Sequence, residues 1–223
     1  MKTHRVSRNL LLKLTGAFQE RNIYIHPNPV ARDIFWQRLE KIENQMRRIY
    51  REEIAGKTAL DFGGGSGVFA KALSALFQKI DIVDLDTSAA ENIKRHFDLG
   101  NVRIMRKDVR ELPGTEKYDA VIAADVLEHF KDLHTPVGII KKLLRQNGFL
   151  FTSLPTENAL YRIGRKIVKK TKPLDHYHAS RDVIDFLRKE GFRQITNAYV
   201  PRYGGIAIPL FEISAWELKG YPS

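Results

Sequence analysis

The chain of 223 residues contains no cysteine. This excludes disulfides, a thiolate nucleophile and thiolate metal sites, so any metal would need His, Asp or Glu ligands. It also lacks an apolar run long enough to cross a bilayer; near the start the longest is Leu10 to Leu12, ended by Lys13. The sequence therefore predicts neither a signal peptide nor a transmembrane helix, and implies a cytoplasmic protein. Internal repeats and low-complexity segments are missing. Acids are in short supply, with 26 Asp and Glu against 37 Lys and Arg, for a net charge of +11. The excess lies at the two ends: residues 1 to 57 carry 12 bases and 6 acids, residues 58 to 157 carry 13 and 14, and residues 158 to 223 carry 12 and 6. The middle is neutral and the flanks are basic, which suits either an anionic partner or a generally solvated basic surface.

What is present is a 43% apolar composition, enough for one domain with a real core. Asn28-Pro29 supplies an N-cap followed by proline at the first helical position. Phe35, Leu39, Ile42, Met46 and Ile49 then recur at helical spacing until Gly56, which marks residues 1–56 as an N-terminal helical cap. Beyond it strands and helices alternate. The pattern predicts strands near 57–62, 80–85, 102–106, 118–124 and 148–154, with helices near 66–77, 87–97, 132–145 and 180–190. Such alternation with short loops implies right-handed crossovers and a doubly wound parallel sheet, which binds ligands at the carboxyl ends of its strands. Two late β-rich runs, 192–200 and 206–218, close the chain.

The most informative stretch is TALDFGGGSGVFA, Thr58 to Ala70, in which an apolar strand enters a glycine-rich turn and then a helix. Gly63, Gly64, Gly65 and Gly67 remove the Cβ atoms that keep a backbone away from a ligand. A dinucleotide fingerprint of the G-x-G-x-x-G type fits in no register, because Val68 or Ser66 falls where glycine is needed. The pattern that does fit is Asp61-x-Gly63-x-Gly65-x-Gly67. It resembles motif I of the class I S-adenosylmethionine (SAM) dependent methyltransferases.

Three further segments carry the same resemblance in order: IDIVDLDTS, KDVRELP and YDAVIAADVLEHF, followed by the turn Arg145-Gln146-Asn147-Gly148-Phe149. Together they cover about residues 57 to 154, closest in character to the ubiquinone-biosynthesis type of O-methyltransferase. The resemblance implies a Rossmann-like, seven-stranded, mostly parallel sheet with a C-terminal antiparallel hairpin, and a methyltransferase domain over 57–223. It implies SAM as cofactor and S-adenosylhomocysteine (SAH) as product. On this pattern Asp61 and the glycines form the cofactor loop, Asp86, with Asp84 second, receives the ribose hydroxyls, and Asp108 and Val109 face the adenine. Asp86 also has a purely structural reading, as a helix cap beside Thr87 and Ser88. The same resemblance implies that Asp125 lines the cofactor pocket.

Asp125, Glu128 and His129 form an acid-x-x-acid-His cluster. In some relatives of this type such a cluster binds a divalent cation with a distant histidine, and His176 or His178 is placed to supply one. The metal-free reading is favoured here: His129 is the candidate general base and Glu128 lines the site, with a structural histidine as the alternative. Between the fifth strand and the late helix, at about 156–178, lies an insertion with no acid between Asn158 and Leu174. Leu160, Ile163, Ile167 and Val168 fall on one helical face, and Arg162, Arg165, Lys166, Lys169 and Lys170 on the other. A short basic amphipathic helix follows, either a solvated lid or a contact for an anionic membrane or acceptor. No aromatic residue is interleaved with those charges, which disfavours nucleic acid. The expected acceptor is an oxygen on a small-molecule or lipid-linked, anionic compound. The alternatives are an RNA 2′-hydroxyl and a non-catalytic SAM-binding subunit. An N/D-P-P-Y-like turn at the end of the fourth strand is missing, which argues against base amino groups as acceptors.

Overall fold

A computed structural model describes residues 5–15, 22–156 and 177–220. The expected basic helix at 160–170 and His176 lie outside the described residues. The chain divides into two compact units, Met1–Glu111 and Leu112–Ser223.

The first unit begins with helix α1 (Arg8–Thr15) and a 3-10 turn (Ile23–Ile25), then helix α2 (Pro29–Tyr50). The N-cap is where the sequence places it. The Asn28 side chain accepts from the amides of Val30 at 2.9 Å and Ala31 at 3.4 Å, with Pro29 in the first turn. Its buried stripe is Trp36, Leu39, Ile42, Met46 and Tyr50, so the ends of the expected stripe move by one residue, from Phe35 to Trp36 and from Ile49 to Tyr50. A 3-10 segment (Arg51–Gly56) then delivers the chain to β1 (Thr58–Phe62).

From β1 the order is α3 (Ala70–Ser74), β2 (Lys79–Asp84), α4 (Ser88–His96) and β3 (Val102–Arg106). β1 pairs in parallel with β2, Thr58 opposite Lys79 through Phe62 opposite Val83, and β2 pairs in parallel with β3. Ala59 to Phe62 and Ile80 to Val83 are buried without alternation, as expected of parallel strands covered on both faces. Asp61 and Asp81 are the buried acids among them. Arg103 answers Asp81 from β3 with two hydrogen bonds, 2.9 and 2.5 Å. Helix α3 is shorter than the expected 66–77, because the glycine-rich segment turns on itself before regular helix begins.

The second unit contains β4 (Tyr118–Ala124), a 3-10 turn (Leu127–His129), α5 (His134–Leu143), β5 (Leu144–Pro155), α6 (Ser180–Lys189), β6 (Phe192–Tyr203) and β7 (Ile206–Leu218). β4 and β5 are parallel; β7 runs antiparallel to β5 and to β6. The Arg145–Gly148 segment, read from sequence as a turn, lies inside β5. The β4–β5 register shifts there, Tyr118 facing Leu144 and Ala120 facing Phe149, and Asn147 takes φ +61°, a conformation asparagine tolerates. Two more irregularities interrupt β6, at Gln194/Thr196 and Val200/Arg202. The core of this unit is fully buried Val121, Ile122, Leu150, Phe151, Ile213, Ala215 and Trp216, with the Trp216 indole N–H donating to Thr152 Oγ1 at 2.9 Å.

The seven strands form the mostly parallel, Rossmann-like sheet with an antiparallel C-terminal hairpin that the sequence implies. Among the described residues no helix is long and apolar enough to cross a membrane.

Asn28→Ala removes the acceptor for two α2 amides. It is expected to lower unfolding free energy by about 1 kcal/mol, measured by urea denaturation, while Asn28→Ser stays close to wild type.

Candidate active site

The glycine turn is fixed at three points, all within the first unit. The amides of Gly63 and Gly64 donate to the Val83 carbonyl at the end of β2, at 2.9 and 3.1 Å, and the amide of Gly67 donates back to the Gly64 carbonyl at 3.0 Å. The third point is a side chain. Asp84 accepts the Gly65 amide on Oδ2 at 2.8 Å and the Asp86 amide on Oδ1 at 3.1 Å. One carboxylate thereby ties the turn after β1 to the segment after β2, and Asp84 orders the loop in addition to any contact with a ligand.

Gly64 and Gly65 need glycine for different reasons. A Cβ on Gly64 would sit 2.7 Å from Asp61 Oδ2 and 2.7 Å from Ile82 Cγ2, so the turn closes directly over buried Asp61. At Gly65, φ is +53° and a Cβ would meet nothing within 4 Å. The backbone is therefore left-handed and faces open space, a cradle that a side chain would fill.

Asp61 is buried, and burial pushes its carboxyl up to about 7, with the Asp84 charge adding to the effect. Asp86 behaves oppositely. It is exposed, and its hydrogen bonds from the Ser88 hydroxyl at 2.8 Å and amide at 3.1 Å hold it below the usual carboxylate range. Thr87 occupies the N-cap of α4, but its side chain makes no capping bond; the Asp86 carboxylate satisfies the Ser88 amide instead. Between the two acids Leu85 stands 66% exposed, an apolar surface at the carboxyl end of β2 that hydropathy alone did not single out. Asp108 follows β3, clasped by Arg110, whose bonds at 2.5 to 3.0 Å hold it ionised well below its ordinary value. Val109 beside it is buried. The first unit thus gathers Asp61, the glycines, Asp84 and Asp86 around one turn, with Asp108 and Val109 beyond the next strand. Small residues, an open left-handed backbone and acids at the strand ends fit an adenosyl cofactor with ribose hydroxyls.

In the second unit the chain leaves β4 through Asp125, at φ +57°. Its amide donates to the Ser153 carbonyl at 2.9 Å, and the Ser153 hydroxyl donates to Asp125 Oδ1 at 3.0 Å, so β5 holds the strained residue in place. Nothing in the sequence pattern marks Ser153 beyond its place near the end of β5. Glu128 is buried and His129 half-buried in the short turn that follows, against which α6 packs. The Tyr177 amide donates to the Glu128 carbonyl at 2.9 Å, and His178 Nε2 lies 3.2 Å from the Lys131 carbonyl. His178 is thus brought beside the turn but engages backbone. Among the described residues no three His, Asp or Glu side chains gather as a metal site.

The sequence matches a methyltransferase-domain family over residues 35–199, most of its length. The chain belongs to that family. By sequence it groups with the class I SAM-dependent methyltransferases. Among curated relatives, ubiquinone biosynthesis O-methyltransferases from Nitrosomonas europaea and Glaesserella parasuis are 30% identical over 123 residues and 27% identical over 130. These alignments cover 52% and 53% of this chain and 52% and 55% of those proteins, so the chain spans about half the length of the curated relatives it matches. Solved structures share the fold. Magnesium protoporphyrin IX methyltransferase from Synechocystis PCC 6803, with bound SAH, superposes with a TM-score of 0.66 at 18% identity, covering 94% of this chain and 99% of that one. The N-methyltransferase NodS from Bradyrhizobium japonicum, in complex with SAH, gives 0.65 at 15%, covering 96% and 98%.

Two predictions follow from the loop. Gly65→Val places a β-branched side chain at positive φ in the open cradle, and is expected to abolish SAH binding in calorimetry while far-ultraviolet circular dichroism stays unchanged. The second concerns Asp61, whose carboxyl is raised from 3.8 to about 7 on folding. The folded state holds that proton more tightly than the unfolded chain, so this group's contribution to stability is full below pH 4, declines as pH rises through 4 to 7, and is flat above. Asp61→Asn should remove that component, so the wild-type minus variant difference in melting temperature becomes more negative from pH 5 to pH 8. A pH-independent difference would contradict the burial argument.

Proposed function

We propose that the enzyme transfers the methyl group of SAM to an oxygen of a small-molecule or lipid-linked, anionic acceptor. Residues 57–223 are the catalytic domain in this reading and residues 1–56 its cap. The observation that carries it is the turn after β4: Asp125 is held at a strained angle by Ser153, and the half-buried His129 follows in a turn braced by α6. A rigid turn is a suitable mount for a base. The O-methyltransferase names of the relatives aligned with this chain support oxygen as the accepting atom, and the basic flanks support an anionic acceptor or the lipid surface that carries it.

The cofactor supplies an already activated methyl on a sulfonium. The chain's own work is to bind, orient and deprotonate. Asp86 accepts the ribose hydroxyls, Asp84 holds the loop, Asp108 and Val109 meet the adenine, and Asp125 lines the pocket. His129 would take the acceptor hydroxyl proton, leaving the oxygen free to receive the methyl group that bound SAM would supply.

Asp86→Ala is expected to weaken SAH binding by about 1 to 3 kcal/mol in calorimetry, through loss of the ribose hydrogen bonds. His129→Ala should lower turnover by about 10²-fold with SAH affinity unchanged, measured by radiolabelled methyl transfer to a panel of small and lipid-linked phenols. Wild-type turnover in that variant removes His129 from the base role. Transfer to an RNA oligonucleotide, and to none of the phenols, overturns the acceptor assignment.

A further inference from the structure

The β6–β7 hairpin outruns the strand beside it. β5 ends at Pro155, opposite Phe211, and Thr156 adds two last bonds, its amide donating to the Leu210 carbonyl at 3.0 Å and its hydroxyl to the Pro209 carbonyl at 2.6 Å. Beyond that point, among the described residues, only β6 pairs with β7, through Arg202 opposite Ala207 and Tyr203 opposite Ile206. At ~3.3 Å per residue the tip stands on the order of 10 Å past the end of β5. It projects from the carboxyl ends of β4 and β5, the end at which Asp125 and Ser153 lie.

The turn itself is Gly204-Gly205, at φ +56° and +84°, which suits a two-residue hairpin whose central residues are both left-handed. A Cβ on either would meet nothing within 4 Å, so the described chain leaves open space around the turn. Tyr203 and Ile206, directly opposite each other, project from one face of the ribbon, 43% and 72% exposed. The Arg202 guanidinium is drawn to the turn, its Nη2 donating to the Gly205 carbonyl at 2.8 Å. From Gly191 to Phe211 the sequence has no acid.

An isoleucine so exposed at the tip of an arm gains nothing from the protein's own core, and with an aromatic neighbour it makes an apolar surface for something else. A tyrosine beside it, an arginine at the turn and no carboxylate to be repelled match the boundary of an anionic bilayer. There an aromatic ring sits at headgroup level, an aliphatic side chain enters the acyl layer and a guanidinium meets phosphate. A second copy of the chain is the poorer fit, because extending the sheet would meet the register shift at Val200/Arg202 and Pro201, which offers no N–H.

We propose that the tip of this hairpin is a lipid contact: Tyr203 and Ile206 enter the interface of an anionic bilayer and Arg202 engages its phosphates, which brings the carboxyl ends of β4 and β5 to the membrane surface. Two side chains give only reversible binding, which the chain's net charge of +11 strengthens on an anionic surface. The inference deepens the lipid side of the proposed function and rests on that reading for its use, since an acceptor carried in the bilayer is then met where it resides.

The test is flotation of the full chain with vesicles of phosphatidylcholine alone and of phosphatidylcholine mixed equally with phosphatidylglycerol. The wild type should float with the mixed vesicles and far less with the neutral ones. Tyr203→Ser combined with Ile206→Ser should lower binding about tenfold, and Arg202→Gln about fivefold, with melting temperature and SAH affinity unchanged. A second readout is direct. Both native tryptophans, Trp36 and Trp216, are buried, so the new indole in Ile206→Trp reports the tip, and its emission should shift to the blue on mixed vesicles. A wild type that does not float, undiminished flotation of the double variant, or an emission that vesicles leave unmoved overturns the proposal. So does a wild type that sediments as a dimer with a double variant that sediments as a monomer, which makes the tip a contact between copies. Vesicle binding is read without acceptor or turnover, so a failure of phenol methylation bears on the proposed reaction and not on this contact.

Discussion

The turn after β1 has to present its backbone to a ligand without falling into the space it leaves open. Glycines give it freedom to adopt the shape, but freedom is entropically costly and does not choose one conformation. The choice is made from β2. Val83 offers its carbonyl to two successive amides, and Asp84 takes the next one on its side chain. Those bonds exist only because β1 and β2 are parallel neighbours whose ends coincide, Phe62 opposite Val83. The loop's order is therefore a property of strand register, and the parallel pairing beneath it is part of the site.

The two units solve related problems by different means. In the first, a sequence of glycines is stiffened by one carboxylate; in the second, a non-glycine residue, Asp125, is forced into a left-handed angle and held by Ser153 from the neighbouring strand. Each solution puts strain or polarity at the carboxyl end of a parallel strand, where a doubly wound sheet opens to ligands. The buried runs of β1 and β2 are apolar apart from Asp61 and Asp81, and Asp81 is clamped by Arg103.

Much of this was legible in the sequence because alternation of β-branched runs with helical spacing is a strong signal. Strands 102–106 and 118–124 and the final run 206–218 begin and end where the residues place them. Asn28-Pro29 marked the start of α2 because cap chemistry is local. The glycine spacing and the D-V-L-E-H segment marked the candidate site because few other patterns serve that purpose. What was less legible depended on partners distant in sequence. Whether Asp84 or Asp86 faces the loop is decided by the position of the Gly65 amide, which no period reveals. The extent of β5 back to Leu144 is set by pairing with Tyr118 across a register shift. Arg38 stands on the buried face of α2, and its partners Tyr24 and Phe35 become visible only in the structure.

The irregular β6 has a consequence for how molecules meet. Among the described residues it pairs only with β7, and a strand margin of this kind ordinarily invites another chain to continue the sheet. Here two register shifts kink that margin, and Pro201, inside the second of them, contributes no N–H. An incoming strand would find neither a regular ladder of donors nor a flat apolar row to match. The β6 margin is by its geometry a poor template for another strand.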